Sequence, residues 1–163
     1  MKKIAIVGWS STRNKAPYYD DSWEIWILNH RVDLFPRFDL HFELHNTTCY
    51  WGEYLNFLIN SDKTVVTGID NRLNKAIIFP KNEIIEKYGD FFTSSMSWMI
   101  AYAIELGATD IGLWGVDCID KEEYTQQRPS IMYLLGIAKG KGINLHFPDN
   151  CRLFRKNKLY WNL

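Results

Sequence analysis

No charge of either sign dominates the chain: 19 Lys and Arg face 19 Asp and Glu, for a formal net charge of +0. Affinity for duplex nucleic acid comes largely from Lys and Arg accumulated against phosphates, so a protein whose main business is coating a duplex is excluded. A local basic patch is not. No apolar stretch approaches the roughly 20 residues of a membrane span, and no membrane partner is expected. No secretory leader is expected either, because Ile4-Ala5-Ile6-Val7 runs into Gly8-Trp9-Ser10 well short of the apolar region of about 7–15 residues that a leader needs. Cysteine is scarce: Cys49, Cys118 and Cys151 are widely spaced, with no Cys-x-x-Cys pair. Neither a disulfide framework nor a zinc knuckle is read from them, and the expectation is reduced thiols in a cytoplasmic protein with no metal site.

What is abundant is ring and core material. The 163 residues include seven Trp, nine Tyr and nine Phe, and are 47% hydrophobic against 23% charged. That length suits one domain, and at about 150 residues a chain buries roughly 70% of its unfolded surface. Exposed aromatics would favour a homodimer. Lys2 to Val7, closed by Gly8, has the near-continuous apolar character of a buried parallel strand. Glu24 to Leu28 and Asp39 to Leu44 read as further strands, followed by a helix over Trp51 to Ile59. Short β-like runs at Thr64–Val66 and Ala76–Phe79 precede a helix at Asn82–Tyr88. Thr93-Ser94-Ser95 starts a helix that Gly107 stops, and Asp110 to Gly115 is a strand. Pro129 is placed in the first turn of a helix reaching Lys139, and Ile143 to Phe147 is the last strand. Residues 150–163 read as a terminal hairpin. This alternation predicts one α/β domain: a Rossmann-like, doubly wound, mostly parallel sheet with helices on both faces.

In such a sheet, ligands bind beyond the carboxyl ends of the strands. Gly8, Trp9, Ser10 and Ser11 fall there, with Asn29, Glu43, His45 and Asp117. Gly8 would let backbone approach a phosphate, and Ser10 and Ser11 would donate to its oxygens. Thr93, Ser94 and Ser95 open a helix whose N-terminus attracts anions, although one of them would serve equally as an ordinary cap. On a strand, His41, Glu43 and His45 share one face. Three readings stay open for them: a metal triad, a proton-transferring Glu43 and His45, or plain structural polarity. Asp117 either accepts from a ribose or base or caps a turn. Tyr124, Gln127 and Arg128 precede Pro129, so the guanidinium and a helix N-terminus would converge on one anion-friendly spot, unless Arg128 pairs with Glu122 or Glu123.

The segments Lys2–Gly8, Glu24–Asn29, Thr93–Gly107, Ile111–Asp117 and Ile143–His146 resemble two related groups. One is the bacterial sialyltransferases that use a CMP-activated sugar. The other is the set of Rossmann-like proteins similar to the MptE-type pterin diphosphokinase, which includes small phage-type members. The first resemblance implies that Gly8, Ser10, Ser11, Asn29, Thr93, Ser94, Ser95 and Asp117 line a nucleotide pocket. The chain also departs from the transferases. Tyr124 or Thr125 stands where they carry a basic His, the first loop lacks a second Gly, and their long lid is missing, so sialyl transfer itself is not expected.

The reading is a domain that binds a nucleotide or a similar phosphorylated, ring-containing small molecule, with a nucleotide-activated substrate as the implied co-reactant. Trp9, Trp51 or Tyr124 would stack on the ring. If there is chemistry, it is group transfer or cleavage at a phosphate or glycosidic linkage, with Glu43 or His45 carrying the proton. The alternatives are a module that only sequesters a nucleotide, and a structural subunit with a vestigial pocket.

Overall fold

The two apolar runs nearest the N-terminus become the middle of a sheet. In a computed structural model that describes residues 1–45, 52–68, 72–118 and 122–154, β1 (Lys3–Val7) and β2 (Trp23–Leu28) pair in parallel along their length. Both strands are almost wholly buried, as strands covered on both faces must be. Outward from β2 lie β3 (Leu40–Glu43), β4 (Thr64–Thr67) and β5 (Ala76–Ile78); beyond β1 lie β6 (Asp110–Trp114) and β7 (Asn144–His146). The order is β5-β4-β3-β2-β1-β6-β7, and every pairing is parallel. The chain therefore steps one way from β1 to β5 and then crosses to the other side of β1. That reversal, between β1 and β6, is where the carboxyl ends part.

Alternation along the strands feeds two cores. Ile4, Ile6, Trp26 and Phe42 pack with α2 (Lys81–Tyr88), α3 (Ser95–Glu105) and α4 (Glu122–Gly140). On the opposite face Ala5, Val7, Ile25 and Ile27 meet Ala16, Tyr18 and Phe35, from or beside two short 3-10 turns, Ser11–Lys15 and Val32–Leu34. Farther out on that face Val65 packs against Leu58 of α1 (Gly52–Asn60). This is the expected Rossmann-like, doubly wound α/β fold.

One helix differs from expectation. Pro129 lies inside α4, which starts at Glu122 rather than near the proline. Pro129 has no N–H to give the Thr125 carbonyl, and two neighbouring carbonyls accept from side chains. Thr93 Oγ1 donates to the Gln126 oxygen at 3.0 Å and Ser130 Oγ to the Gln127 oxygen at 3.1 Å. The proline is exposed, so its ring faces solvent. Most of the expected terminal hairpin, residues 155–163, lies outside the described residues, as do Trp51 and Cys49.

Where β1 and β6 end, their backbones touch. The Gly8 N–H donates to the Trp114 oxygen at 2.8 Å, and the Ser10 N–H to the Gly115 oxygen at 3.1 Å. A Cβ at Gly8 would run into the Gly115 carbonyl, and one at Gly115 into the Gly8 carbonyl. Gly115 also sits at φ +70°, where a side chain is strained. Gly115→Ala should therefore cost roughly 2–4 kcal/mol from backbone strain and overpacking. Gly136, exposed in α4 with nothing near a built Cβ, should respond oppositely, Gly136→Ala gaining about 0.5–1 kcal/mol. Urea midpoints compare the two, and equal shifts would rule out close approach as the reason for Gly115.

Candidate functional site

The Gly8–Gly115 contact brings a short polar loop over the end of β6. Residues 11–15 turn tightly, and this places the Thr12 hydroxyl to accept the Gly115 N–H at 2.9 Å. Ser10 Oγ donates to Asp117 Oδ2, and Thr12 Oγ1 lies 3.5 Å from the same oxygen. The other oxygen, Oδ1, accepts the Arg152 N–H at 3.1 Å. Asp117 is buried, and both its oxygens are engaged. Of the two roles expected for it, the structure shows it joining the first loop, the end of β6 and the segment after β7. Arg13 braces the loop from behind, donating Nη1 to the Trp9 oxygen at 3.0 Å.

Above this junction opens a cavity of about 760 Å³, within the range of about 300–1,000 Å³ of small-molecule sites. Its walls include Trp9, Ser10, Ser11, Asn29, Thr93, Ser94, Ser95, Asp117, Tyr124, Gln127 and His45. Ser94 is the cap of α3, its Oγ accepting the Ser97 N–H at 3.2 Å. Thr93 is turned to α4, with its hydroxyl 2.8 Å from Ser130 Oγ. Asn29 holds a left-handed backbone, φ 60°, which Asn tolerates better than most residues. Its Oδ1 is buried with no hydrogen-bond partner.

Three expected site residues are placed elsewhere. Gly8 is beneath the wall, spent on its contact with Gly115. Arg128 is mid-helix in α4, and its Nε donates to the Leu153 oxygen at 2.7 Å. The helix N-terminus expected beside it does not exist, because α4 begins about two turns earlier, at Glu122. Glu43 is buried below the surface. Arg152 lines the cavity instead, together with Thr12 and Asn150. Arg152 and Asn150 follow the carboxyl end of β7, so applying the strand-end rule to the last strand would have found them. Cys118 is also in the wall, but burial pushes its thiol up to about 11, so it offers no thiolate nucleophile.

Beside the cavity is a second polar group. Glu43 Oε1 accepts from His45 Nδ1 at 2.6 Å and from the His45 N–H at 3.2 Å, while Tyr54 O–H donates to Oε2 at 2.7 Å. His41 turns away, with Nε2 2.8 Å from the Asn29 carbonyl and Nδ1 buried without a partner. The expected single face of His41, Glu43 and His45 is thus divided between two tasks. Among the described residues no three His, Cys, Asp or Glu gather as a metal site. Tyr54, from α1, escaped the sequence reading: nothing in its spacing marks a tyrosine whose hydroxyl reaches the next strand end. Trp9, His30 and Tyr54 form a row of edge-on rings, with centroids 5.0 Å and then 6.1 Å apart.

No protein-family model and no curated protein matches the chain. Solved structures do. The sialyltransferase CstII from Campylobacter jejuni, in complex with the substrate analogue CMP-3FNeuAc, matches with a TM-score of 0.62 at 16% identity, over 90% of this chain and 80% of that one. The same enzyme with cytidine-5'-monophosphate gives 0.62 at 18% identity, over 94% and 82%. Its complex with a trisaccharide acceptor and CMP gives 0.60 at 15%, over 90% and 80%. Likeness at these identities carries the fold.

Burial holds the His41 imidazole below its usual range, against the opposing pull of the Asn29 carbonyl and the Glu43 charge. The unfolded chain, with an ordinary value near 6.5, therefore takes up a proton first as pH falls. Stability from this group is complete above about pH 6.5 and declines below it, by up to about 1.4 kcal/mol per pH unit. Urea unfolding at pH 7 and 5.5 should show that decline in the natural chain and a shallower one in His41→Gln. Equal slopes would mean that His41 is not held neutral.

Proposed function

We propose that this protein binds a nucleotide or a nucleotide-activated sugar in the cavity between β1 and β6, and transfers or cleaves the activated group. The observation that carries the reading is the unmet Asn29 Oδ1 in a cavity whose other walls are hydroxyls, a capped helix start and an arginine. A buried acceptor without a donor costs about 1–3 kcal/mol, and a ribose hydroxyl or a base amine would satisfy it. Ser11, Ser95 and the first N–H groups of α3 suit a phosphate, with Arg152 in place of Arg128 as the cation, whereas Ser10 spends its hydroxyl proton on Asp117 and its N–H on Gly115. Trp9 and Tyr124 stand in the wall, and their rings would stack on a base. The CMP complexes of CstII support the ligand class by analogy of fold.

The reaction would be transfer or hydrolysis at a glycosidic or phosphate linkage, with the Glu43–His45 pair handling the proton. A second reading, sequestration without turnover, is favoured by the resemblance, since Tyr124 or Thr125 stands where the resembling transferases carry a basic His. Calorimetry and thermal shift against CMP, AMP, GMP and their diphosphates test the binding. One of them should raise Tm, and Asn29→Ala should weaken that binding about tenfold, the worth of one hydrogen bond. Silence across the panel would sink the proposal. Release of a nucleoside monophosphate from a CMP-activated sugar separates turnover from sequestration.

A further inference from the structure

The two halves of the Glu43–His45 pair are unequally placed. The Glu43 side chain is 3% exposed and the His45 side chain 51%, and of the two only His45 lines the cavity. The Glu43 carboxylate takes the His45 N–H on Oε1 and the Tyr54 O–H on Oε2. A carboxylate accepts only, so the proton between Oε1 and His45 sits on Nδ1. The same logic runs through the neighbouring groups. Tyr54 gives its one hydroxyl proton to Oε2, so at 3.2 Å from His41 Nε2 its oxygen accepts. His41 Nε2 then carries the proton that also faces the Asn29 carbonyl. The protons on His45 Nδ1 and on the Tyr54 hydroxyl both point toward Glu43, while the one on His41 Nε2 lies nearer the Asn29 carbonyl than the Tyr54 oxygen. Tyr54 is itself fixed, its ring lying parallel to Phe57 at 6.3 Å and 11°.

We infer that His45 is the residue that exchanges a proton with a molecule in the cavity, and that Glu43 and Tyr54 are positioning residues that hold its ring as the Nδ1–H tautomer. The step rests on the nucleotide-sugar reading above. Nε2 takes the proton of an acceptor hydroxyl, from a second sugar or from water, as that oxygen bonds to the anomeric carbon. The anomeric carbon–oxygen bond to phosphate breaks, and its electron pair leaves on the nucleoside monophosphate. The proton stays on the imidazolium, opposite the Glu43 carboxylate, until solvent removes it. A tyrosine and a carboxylate behind a histidine follow the logic of a hydrolase triad, in which the hidden groups set orientation and the exposed ring moves the proton.

Long-range proton–nitrogen NMR on the whole chain tests the positioning without any ligand. The chain has four histidines, and His45→Asn identifies the resonance by its loss. His45 should read as Nδ1–H and His41 as Nε2–H, opposite tautomers four positions apart. Tyr54→Phe should shift His45 toward a mixture of tautomers. With a CMP-activated sugar as the probe it should lower kcat about 10–100-fold, as loss of a supporting hydrogen bond does, and leave KM within about twofold. Glu43→Gln should lower kcat further, with CMP affinity unchanged. An Nε2–H tautomer at His45 in the natural chain overturns the inference whether or not any variant folds. So does a Tyr54→Phe chain with unaltered tautomer and kcat. Failure to bind CMP or the other nucleotides, with His45 still Nδ1–H, overturns instead the nucleotide reading.

Discussion

Backbone meets backbone where β1 and β6 end. Gly8 gives its N–H to the Trp114 carbonyl, Gly115 takes the Ser10 N–H, and neither glycine leaves room for a methyl group. The polar junction beneath the cavity depends on that approach. It lowers the first loop onto the end of β6, so the Thr12 hydroxyl reaches the Gly115 N–H and Ser10 reaches Asp117. Asp117 then holds the segment after β7 through the Arg152 N–H. Three chain segments far apart in sequence are pinned to one carboxylate. The cavity above them has a floor because the two glycines have no side chains.

The two buried carboxylates at this sheet edge share a character. Asp117 and Glu43 each spend both oxygens on groups of the protein itself. A carboxylate so committed is a poor general base, because taking a proton would break the bonds that hold it in place. What it does well is orient its donors: the serine and backbone in one case, a histidine and a tyrosine in the other. In the proposed reaction the proton transfer therefore falls to what the acids hold. This is a physical reason to separate Glu43 from His45, which the sequence pattern had left as interchangeable carriers.

How much of this was legible in the sequence follows from the range of each interaction. The strands announced themselves because burial on both faces demands consecutive apolar residues, as in Ile4-Ala5-Ile6-Val7. The start of α3 was legible because a serine cap acts over three residues, Ser94 to Ser97. Position at a strand end brought Ser10, Asn29, His45 and Asp117 to the same edge before any coordinates. Pro129 misled because the rule for proline at a helix start is local, while its accommodation inside α4 involves Thr93, more than thirty residues away. Arg128 misled with it, since its anion-binding role was inferred from a helix start that is not there. Gly8 was singled out for the approach of a phosphate, and the atom that approaches it is the Gly115 carbonyl. Tyr54 was invisible, because which side chain meets Glu43 depends on how α1 sits against the sheet.

The balanced charge of the chain bears on what the cavity selects. A nucleic-acid surface works through accumulated cations whose field reaches a Debye length, about 8 Å at physiological salt. This cavity places one arginine among hydroxyls, amides and the N–H groups at the start of α3. Dipoles fall off faster with distance than charges do, so such a wall acts on a ligand only once it is inside. Selection then rests on shape and on pairing donors with acceptors, the unmet Asn29 Oδ1 first among them. The abundant rings supply the matching apolar part, with Trp9 and Tyr124 in the wall and most others in the two cores. On the proposed reading, a chain with no net charge suits one small anion with a flat ring better than it suits a polymer.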